Sequence, residues 1–433
     1  MANTYLARTY GTPTSTQKWT ASFWIKRGDL GREQHIFGGQ ASCQCYFNSS
    51  DIFRFYDQTA GTAYNTTQVF RDTSAWYHFV IAVDTTLGIA GDRARIYVNG
   101  SEITSFSIET NATQNNNSGY NVSGTSYAIG RYNPSQASDY YFNGSMSHIH
   151  FIDGTAYDAS AFGSTDSVTG EWKINTSPSV TYGTNGFFIL KDGNSVTDQS
   201  GEGNDFTVGG GTLTKTEDSP SNVFATWNSL FRRGTITPTF SNGNLTSNFT
   251  GGAQQFALTS LGASSGKYYA EMKWVSSHGN AACITGILDM AFSGTADPND
   301  AVTNAFGYFA SGNKHISGSS SSYGASYTSG DIIGIAIDCD NSKLYFSKNG
   351  VYQNSGVPTS GSTGTGAIPI ISGVTYGIYG SEYDGRIANL NTGNGYFGTT
   401  AVSSAGTNAS GNGIFEYDVP TGYTALSTKG LNL

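Results

Sequence analysis

The chain has 433 residues, 12% of them charged, with 56 glycines, 27 tyrosines and 25 phenylalanines and a formal net charge of −9. Soluble domains carry about twice that charged fraction and run to roughly 100–200 residues, so two domains are expected. The acidic balance without a dense Lys/Arg cluster excludes nucleic acid as a partner, 13% aromatic residues exclude disorder, and no run reaches the ~20 apolar residues that insert into a membrane.

The opening "MANTYLARTYGTPTS" has no long apolar run and is not a secretory leader, so synthesis in a cytoplasm is expected. Period-2 runs follow, punctuated by Gly, Ser, Thr and Asn, which is the pattern of strands and turns. "KWTASFWIKRG" sets Trp19, Ala21, Phe23 and Ile25 on one face, and "AWYHFVIAVD" does the same with Tyr77, Phe79, Ile81 and Val83. "RARIYVNGSEI" turns Ile96 and Val98 inward and ends at Asn99-Gly100, a pair that favours the φ > 0 conformations of a type I′ hairpin. Each run is expected to be a half-buried strand.

Further along, "HIH" places His148 and His150 on one strand, where a polar exposed face is expected; a zinc site would need a third ligand that the sequence does not identify. "TDQSGEGNDF" offers Asp198, Asn204 and Asp205 in a Gly-rich loop as candidate calcium ligands, against the alternative of a turn held by Asx hydrogen bonds. Between Gly209 and Thr239 alternation gives way to clustered polar residues with two prolines. The expected division is therefore a first domain at 1–215, a connector at 216–240 packed through Phe224, Trp227 and Phe231, and a second domain at 241–433.

Alternation resumes in "GKYYAEMKWV", in "DIIGIAIDCD" (Ile333, Ile335, Ile337, Cys339) and in "SKLYFSKNGVY", where Leu344 and Phe346 point inward before Asn349-Gly350. "GASSG" (262–266) fits a nucleophile elbow around Ser264, but a strand follows it where the elbow requires a helix. "GNGYFG" (393–398) fits a dinucleotide loop and also lacks the helix that would receive a pyrophosphate. The four cysteines, Cys43, Cys45, Cys283 and Cys339, are too few and too scattered for a disulfide framework and are expected as small buried hydrophobes. The expected fold class is all-β: two tandem antiparallel β-sandwiches.

Family resemblances point the same way. "ASFWIKRG", "FRDTSAWYHFVIAVDTT", "RARIYVNG" and "YAIGRYNPSQASDYYFNGSMSHIHFIDGTAYDASAFG" resemble, in that order, a concanavalin A-like, laminin-G-like jelly roll. With "GEWKIN", "YGTNGFFI" and "DQSGEGNDFTV" the first half is similar to the variant found in virion proteins of tailed phages, especially marine ones. "SSGKYYAEMKW", "ITGILD", "FGYFASG" and "YTSGDIIGIAIDCDNSKLYFSKNGVYQ" resemble a SPRY-type sandwich, and "GIFEYDVPTGYTALSTKGLN" resembles the C-terminal end of phage fibre-type proteins. Laminin-G-like relatives often carry calcium, which is the reason for weighing it at Asp198.

The concanavalin-like fold includes glycosidases, which need two carboxylates flanking one bond, and no closely spaced acidic run of that kind occurs on a strand of the first half. No enzymatic activity and no obligate cofactor are expected. Function then falls to loops on a rigid scaffold. Sugars pack their C–H faces on aromatic rings and offer hydroxyls to planar polar groups, so "RYNPSQASDYYFNG" nominates Tyr132, Asn133, Asp139, Tyr140 and Tyr141. In the second half His315, Tyr323 and Tyr327 flank a Ser/Gly tract and are nominated likewise. The resemblance implies a phage virion surface protein, assembled in the host cytoplasm as a homo-oligomer beside other virion proteins. A tail fibre or spike subunit recognising host-surface glycan or protein is the first expectation; a capsid decoration or baseplate component is the alternative.

Overall fold

The computed structural model describes residues 3–39, 43–134, 140–191, 195–232, 236–251, 253–276, 283–294, 302–383 and 385–432. The chain forms two compact units, Met1–Lys215 and Thr216–Leu433, and each is an antiparallel β-sandwich. The described part of 216–240 packs within the second unit, where Phe224 and Trp227 are buried.

In the first unit the strands run, in chain order, β1 (Tyr5–Thr9), β2 (Lys18–Arg27), β3 (Gln34–Gly38), β4 (Cys43–Phe47), β5 (Ile52–Asp57), β6 (Thr62–Val69), β7 (Tyr77–Asp84) and β8 (Ala94–Val98). They continue as β9 (Ser101–Glu102), β10 (Phe106–Thr110), β11 (Ser126–Ile129), β12 (Gly144–Asp153), β13 (Gly163–Thr165), β14 (Trp172–Ile174), β15 (Phe187–Ile189) and β16 (Thr207–Gly210). An eight-stranded sheet has the order β10-β6-β5-β4-β3-β11-β1-β16, and a six-stranded sheet has the order β15-β12-β2-β7-β8-β9. Their facing sides enclose an aromatic core. Trp19 lies on Phe151 at 5.7 Å, and Phe53 on Phe79 at 4.5 Å.

The inward residues of β2, β7 and β8 are the ones that the alternation selects. Their outer faces differ from expectation: β2 and β7 are buried on both sides, not half-buried. Ala159, Phe162, Tyr182 and Phe188, with partly buried Trp172, form a second apolar cluster over Val80, Ala82 and Ile152. A layer of turns and the short β13–β14 pair therefore covers a sheet face that would otherwise meet water.

The same device recurs in the second unit. Tyr268, Ala270, Met272 and Trp274 on Lys267–Trp274, and Ile333, Ile335 and Ile337 on Ile332–Asp338, point into the main core. Their other sides, with Tyr269 and Ala336, are covered by Phe415, Val419 and Tyr423 from the C-terminal segment. All four cysteines are buried, as the sequence reading expects.

Candidate functional site

On the outer face of the eight-stranded sheet aromatic and polar groups collect, with Tyr140, Tyr132, Tyr56 and Arg54 partly exposed above the buried His35 and Tyr46. Alternation on β4 and β5 sends Cys43, Cys45, Phe47, Phe53 and Phe55 into the core and leaves Gln44, Tyr46, Arg54 and Tyr56 on the opposite side. Strand register then sets His35 against Tyr46, Tyr46 against Arg54, and Arg54 against Asn65, so one row crosses β3 to β6.

The rings along this row are ordered by one another. His35 lies parallel to Tyr46, with centroids 4.4 Å apart, and Tyr132 meets it edge-on at 4.7 Å. Tyr140, 42% exposed, lies 5.6 Å from the same imidazole. Gln44 Nε2 donates to the Tyr132 hydroxyl at 3.2 Å. The Arg54 guanidinium rests near the Tyr46 and Tyr56 rings, 5.7 and 5.5 Å from their centroids, and donates through Nη1 to the Tyr46 hydroxyl at 2.9 Å.

His35 Nε2 is 2.7 Å from Glu33 Oε1, and a carboxylate can only accept, so Nε2 carries the hydrogen. Burial holds the imidazole pKa below its ordinary value although Glu33 pulls it up. At neutral pH the ring is therefore neutral and Nδ1 is a lone-pair acceptor. His35 Nδ1, Arg54 Nε and Asn65 Oδ1 are all buried without a hydrogen-bond partner among the described residues. A buried polar atom left unmatched costs about 1–3 kcal/mol, and three fall on one row.

Of the residues nominated from the sequence, Tyr132 and Tyr140 join this row, and Asn133 is half-buried beside them. Tyr141 belongs to a neighbouring arrangement, where the Arg131 guanidinium sits 4.8 Å from the Tyr5 ring and 5.1 Å from that of Tyr141. Asp139 lies outside the described residues. His35, Tyr46, Arg54 and Asn65 were not nominated. Their signal is the alternation in "QCYFNSSDIFRFYD", which places large aromatic or charged residues on the face opposite the core.

The nomination of His315, Tyr323 and Tyr327 is corrected, because all three are buried. The Ser/Gly tract is no open loop. Ser319–Ser322 pairs as a strand with Asn313–Ile316, and the tyrosines that follow close the core. Tyr327 sets its hydroxyl between the carbonyls of Cys283 and Tyr308 at 3.1 and 2.9 Å, and the Tyr323 hydroxyl accepts from Phe346 N at 3.2 Å. His315 packs edge-on against Phe309 at 5.5 Å.

The proposed calcium ligands also have other work. Asp198 Oδ1 accepts from the backbone N–H groups of Phe188 and Ser200 at 2.8 and 2.9 Å, and its Oδ2 accepts from Ser200 Oγ and Asn204 N at 2.7 and 2.9 Å. Asp205 accepts from Asp198 N at 2.7 Å, while Asn204 accepts from Arg8 and donates to the Thr184 and Gly186 carbonyls. This is an Asx-organised turn. Among the described residues no group of three or more His, Cys, Asp or Glu side chains is disposed to hold a metal ion.

His148 and His150 are likewise buried and not on a polar exposed face. A bulge between Ser147 and His150 breaks the alternation of β12, and His148 sits at φ 47°. His150 stacks on Phe188 at 3.9 Å and meets the Tyr182 hydroxyl at 2.9 Å, and burial holds its pKa well below the ordinary value. Nearby His78 is stacked between Trp24 and Trp172, accepts at Nδ1 from Trp172 Nε1 at 3.0 Å, and is driven by burial down to about 3.

Residues 2–160 match the family model described as the concanavalin A-like lectin/glucanases superfamily, and residues 267–377 match the SPRY domain model. A concanavalin A-like domain is followed by a SPRY domain. Among solved structures, the chain is similar to the SPRY domain of human HERC1, at 21% identity and a TM-score of 0.30 over 35% of this chain and 91% of that one. A second human SPRY domain is similar at 18% identity and a TM-score of 0.26, over 34% and 90%. A putative carbohydrate binding protein from Bacteroides ovatus ATCC 8483 is similar at 16% identity and 0.34, over 49% of this chain and 58% of that one. No curated protein matches the sequence.

The row of rings and unmatched polar atoms thus belongs to the concanavalin A-like domain. In the SPRY domain one buried titratable group is Glu271, whose carboxylate accepts from Glu416 N and Tyr417 N, both at 2.9 Å, and from Asn391 Nδ2 at 3.2 Å. Burial pushes it up to about 7 against those donors. Its place is under the C-terminal segment, which it clamps to the sheet.

Proposed function

We propose that the chain acts by binding, as a surface protein of a tailed-phage virion, and that its concanavalin A-like domain takes host-surface glycan on the outer face of the eight-stranded sheet. The observation that carries this reading is the accessible layer of the row, where Tyr140, 42% exposed, and half-buried Tyr132, Tyr56 and Arg54 set ring faces beside a planar donor over the buried His35 and Tyr46. Those are the two surfaces a pyranose needs, apolar for its C–H faces and planar polar for its hydroxyls. The virion assignment and the role as a tail fibre or spike subunit rest on the resemblance of "FIDGTAYDASAFG" and the C-terminal "GIFEYDVPTGYTALSTKGLN" to phage proteins.

A binding role without catalysis is supported by how the carboxylates of the domain are used. Glycoside hydrolysis needs an acid and a partner carboxylate free to act across one bond. Asp57 is spent on Ser118, Gly119 and Ala60, and Asp153 on Thr14, Ser15, Asn121 and Asn185. The carboxylate in contact with the row, Glu33, holds His35.

The test is binding of the native oligomer to host cells and to arrayed bacterial surface glycans, with Tyr132→Ala and Tyr140→Ala as probes. Each substitution is expected to weaken binding by about tenfold at an unchanged melting temperature, as loss of one ring contact implies. A folded protein that binds neither cells nor glycans would refute the reading. Antibody-label electron microscopy of the particle separates the two virion roles: label at the tail tip supports a fibre or spike, and label spread over the head would establish capsid decoration.

A further inference from the structure

Arg54 is placed unlike the other arginines of its domain. Arg27 and Arg71 meet Asp51, Arg32 meets Asp29, and Arg95 meets Asp92. Arg8, Arg93 and Arg131 donate to main-chain carbonyls. Arg54 carries five N–H donors, as every arginine does, and the described residues engage one of them, through Nη1 to the Tyr46 hydroxyl. Its Nε is buried without a partner, and no carboxylate among the described residues forms an ion pair with it.

A guanidinium held against two tyrosine rings, half-buried and without a counter-ion among the described residues, is prepared for a planar anion from outside. We propose that the ligand of this face is an acidic glycan, a sugar bearing a carboxylate or comparable anionic substituent, which pairs with Arg54. The inference rests on the glycan reading above and names the class of sugar. Glu33 fixes the direction. It lies at the His35 end of the row, so the anionic group goes to the Arg54–Tyr56 end and the hydroxyls to the His35–Gln44–Tyr132 end.

The net charge of −9 does not attract a polyanion at long range. At physiological salt, charges more than ~8 Å apart are largely screened, so the pairing is local and selective instead of a general affinity for acidic polymers. A bidentate Arg–anion contact is also geometrically specific, which fits an adhesin that must choose among surface sugars.

The test uses the full chain and an array of acidic bacterial polysaccharides, each paired with its neutralised form, carboxyl-reduced or desulfated. Neutralisation is expected to weaken binding about ten- to a hundredfold, the worth of a charge-assisted pair. Arg54→Gln should lose the same factor against the acidic form and nothing further against the neutral one, and Arg54→Lys should recover part of the loss. Equal affinity for the acidic and neutral forms, or wild-type selectivity in Arg54→Gln, overturns the acidic ligand while leaving glycan binding intact. Absence of binding to every glycan overturns both.

Discussion

Arg27 is fully buried at the end of β2, with its guanidinium 4.3 Å from the centre of the Phe47 ring. It donates to the Phe70 carbonyl at 2.6 Å and to Asp51 Oδ1 at 3.0 Å, and Asp51 also accepts from Gly31 N and Arg71 Nε. Removing one partner of such a pair leaves a charge in the interior, so Asp51→Ala should cost about 3–5 kcal/mol in urea unfolding, whereas loss of exposed Arg71 should cost under ~1 kcal/mol. Equal costs would mean that Arg27 is solvated in the native state. The histidines set a pH dependence with the opposite feel. His78 titrates at about 3 in the fold and near 6.5 when unfolded, and burial also lowers His35 and His150. The unfolded chain thus takes up protons that the native one refuses, and stability falls as pH drops below ~6.5. Between pH ~6.5 and ~5, above the carboxylate range, the concanavalin A-like domain should lose up to about 1.4 kcal/mol per pH unit for each such histidine, and His78→Gln should shallow that slope. None of this was legible residue by residue. "HIH" reads as a polar face and "AWYHFVIAVD" as a half-buried strand because the layer that buries His78 and His150, with Phe162, Trp172 and Tyr182, comes later in the chain.

At the scale of elements, the two Asn-Gly hairpins carry the clearest lesson in what alternation and turn chemistry can give. Asn99 and Gly100 have φ 47° and 82°, and Asn349 and Gly350 have 48° and 81°, as a type I′ turn requires. The sequence also supplies the inward residues of the strands that they join. What it hides is the use of the asparagine side chain. Asn99 N donates to the His78 carbonyl and Asn99 Oδ1 accepts from His78 N, at 2.9 and 2.8 Å. Asn349 does the same with Ile332, at 2.8 and 2.9 Å. In both domains the turn asparagine extends the ladder onto the start of the preceding, paired strand, at His78 of β7 and at Ile332, and the side-chain half of that contact is one that glycine or alanine cannot make. The resemblance of the two hairpins is therefore of shared tertiary bonding as well as local turn physics. Asn349→Gly keeps the backbone conformation and loses the side-chain bonds to Ile332 N and Asp331 Oδ1, so it should cost about 1–2 kcal/mol; Asn349→Ala adds the strain of a left-handed residue and should cost about 1 kcal/mol more. If thermal unfolding ranks the two variants in the reverse order, left-handed strain is not what separates them, and an Asn349→Gly variant as stable as the parent would mean that the side-chain bond is not what matters.

For the whole molecule, two sandwiches with separate cores were legible from composition and alternation, and the matches to concanavalin A-like and SPRY families agree. The extent of the second unit was less so. The sequence marks 216–240 as a connector packed through Phe224, Trp227 and Phe231 before a domain that starts at 241, and 223–228 is threaded into that unit. Ala225 N bonds to the Leu426 carbonyl at 3.0 Å, Thr428 N to the Val223 carbonyl at 2.9 Å, and Trp227 N to the Asn244 carbonyl at 2.9 Å. Phe224 packs with Phe415 and Tyr423 in the layer over the sheet, and the Trp227 side chain lies in the main core. Such bonds are not periodic, and those to Leu426 and Thr428 join residues some two hundred positions apart, so no local pattern announces them. Burying a large apolar side chain is worth about 1.5–3 kcal/mol, and loss of both Phe224 and Trp227 removes a sizeable part of the 5–15 kcal/mol by which a domain is stable. A fragment of residues 216–433 should therefore unfold cooperatively with native near-ultraviolet circular dichroism, while 241–433 should be aggregated or lack a cooperative transition. Equal stability of the two fragments would make the segment the connector that its composition suggests. The same layer predicts that ending the chain before Phe415 is as damaging as starting it after Trp227, because each strand of the covering contact needs the other to exclude water from Tyr269 and Ala336.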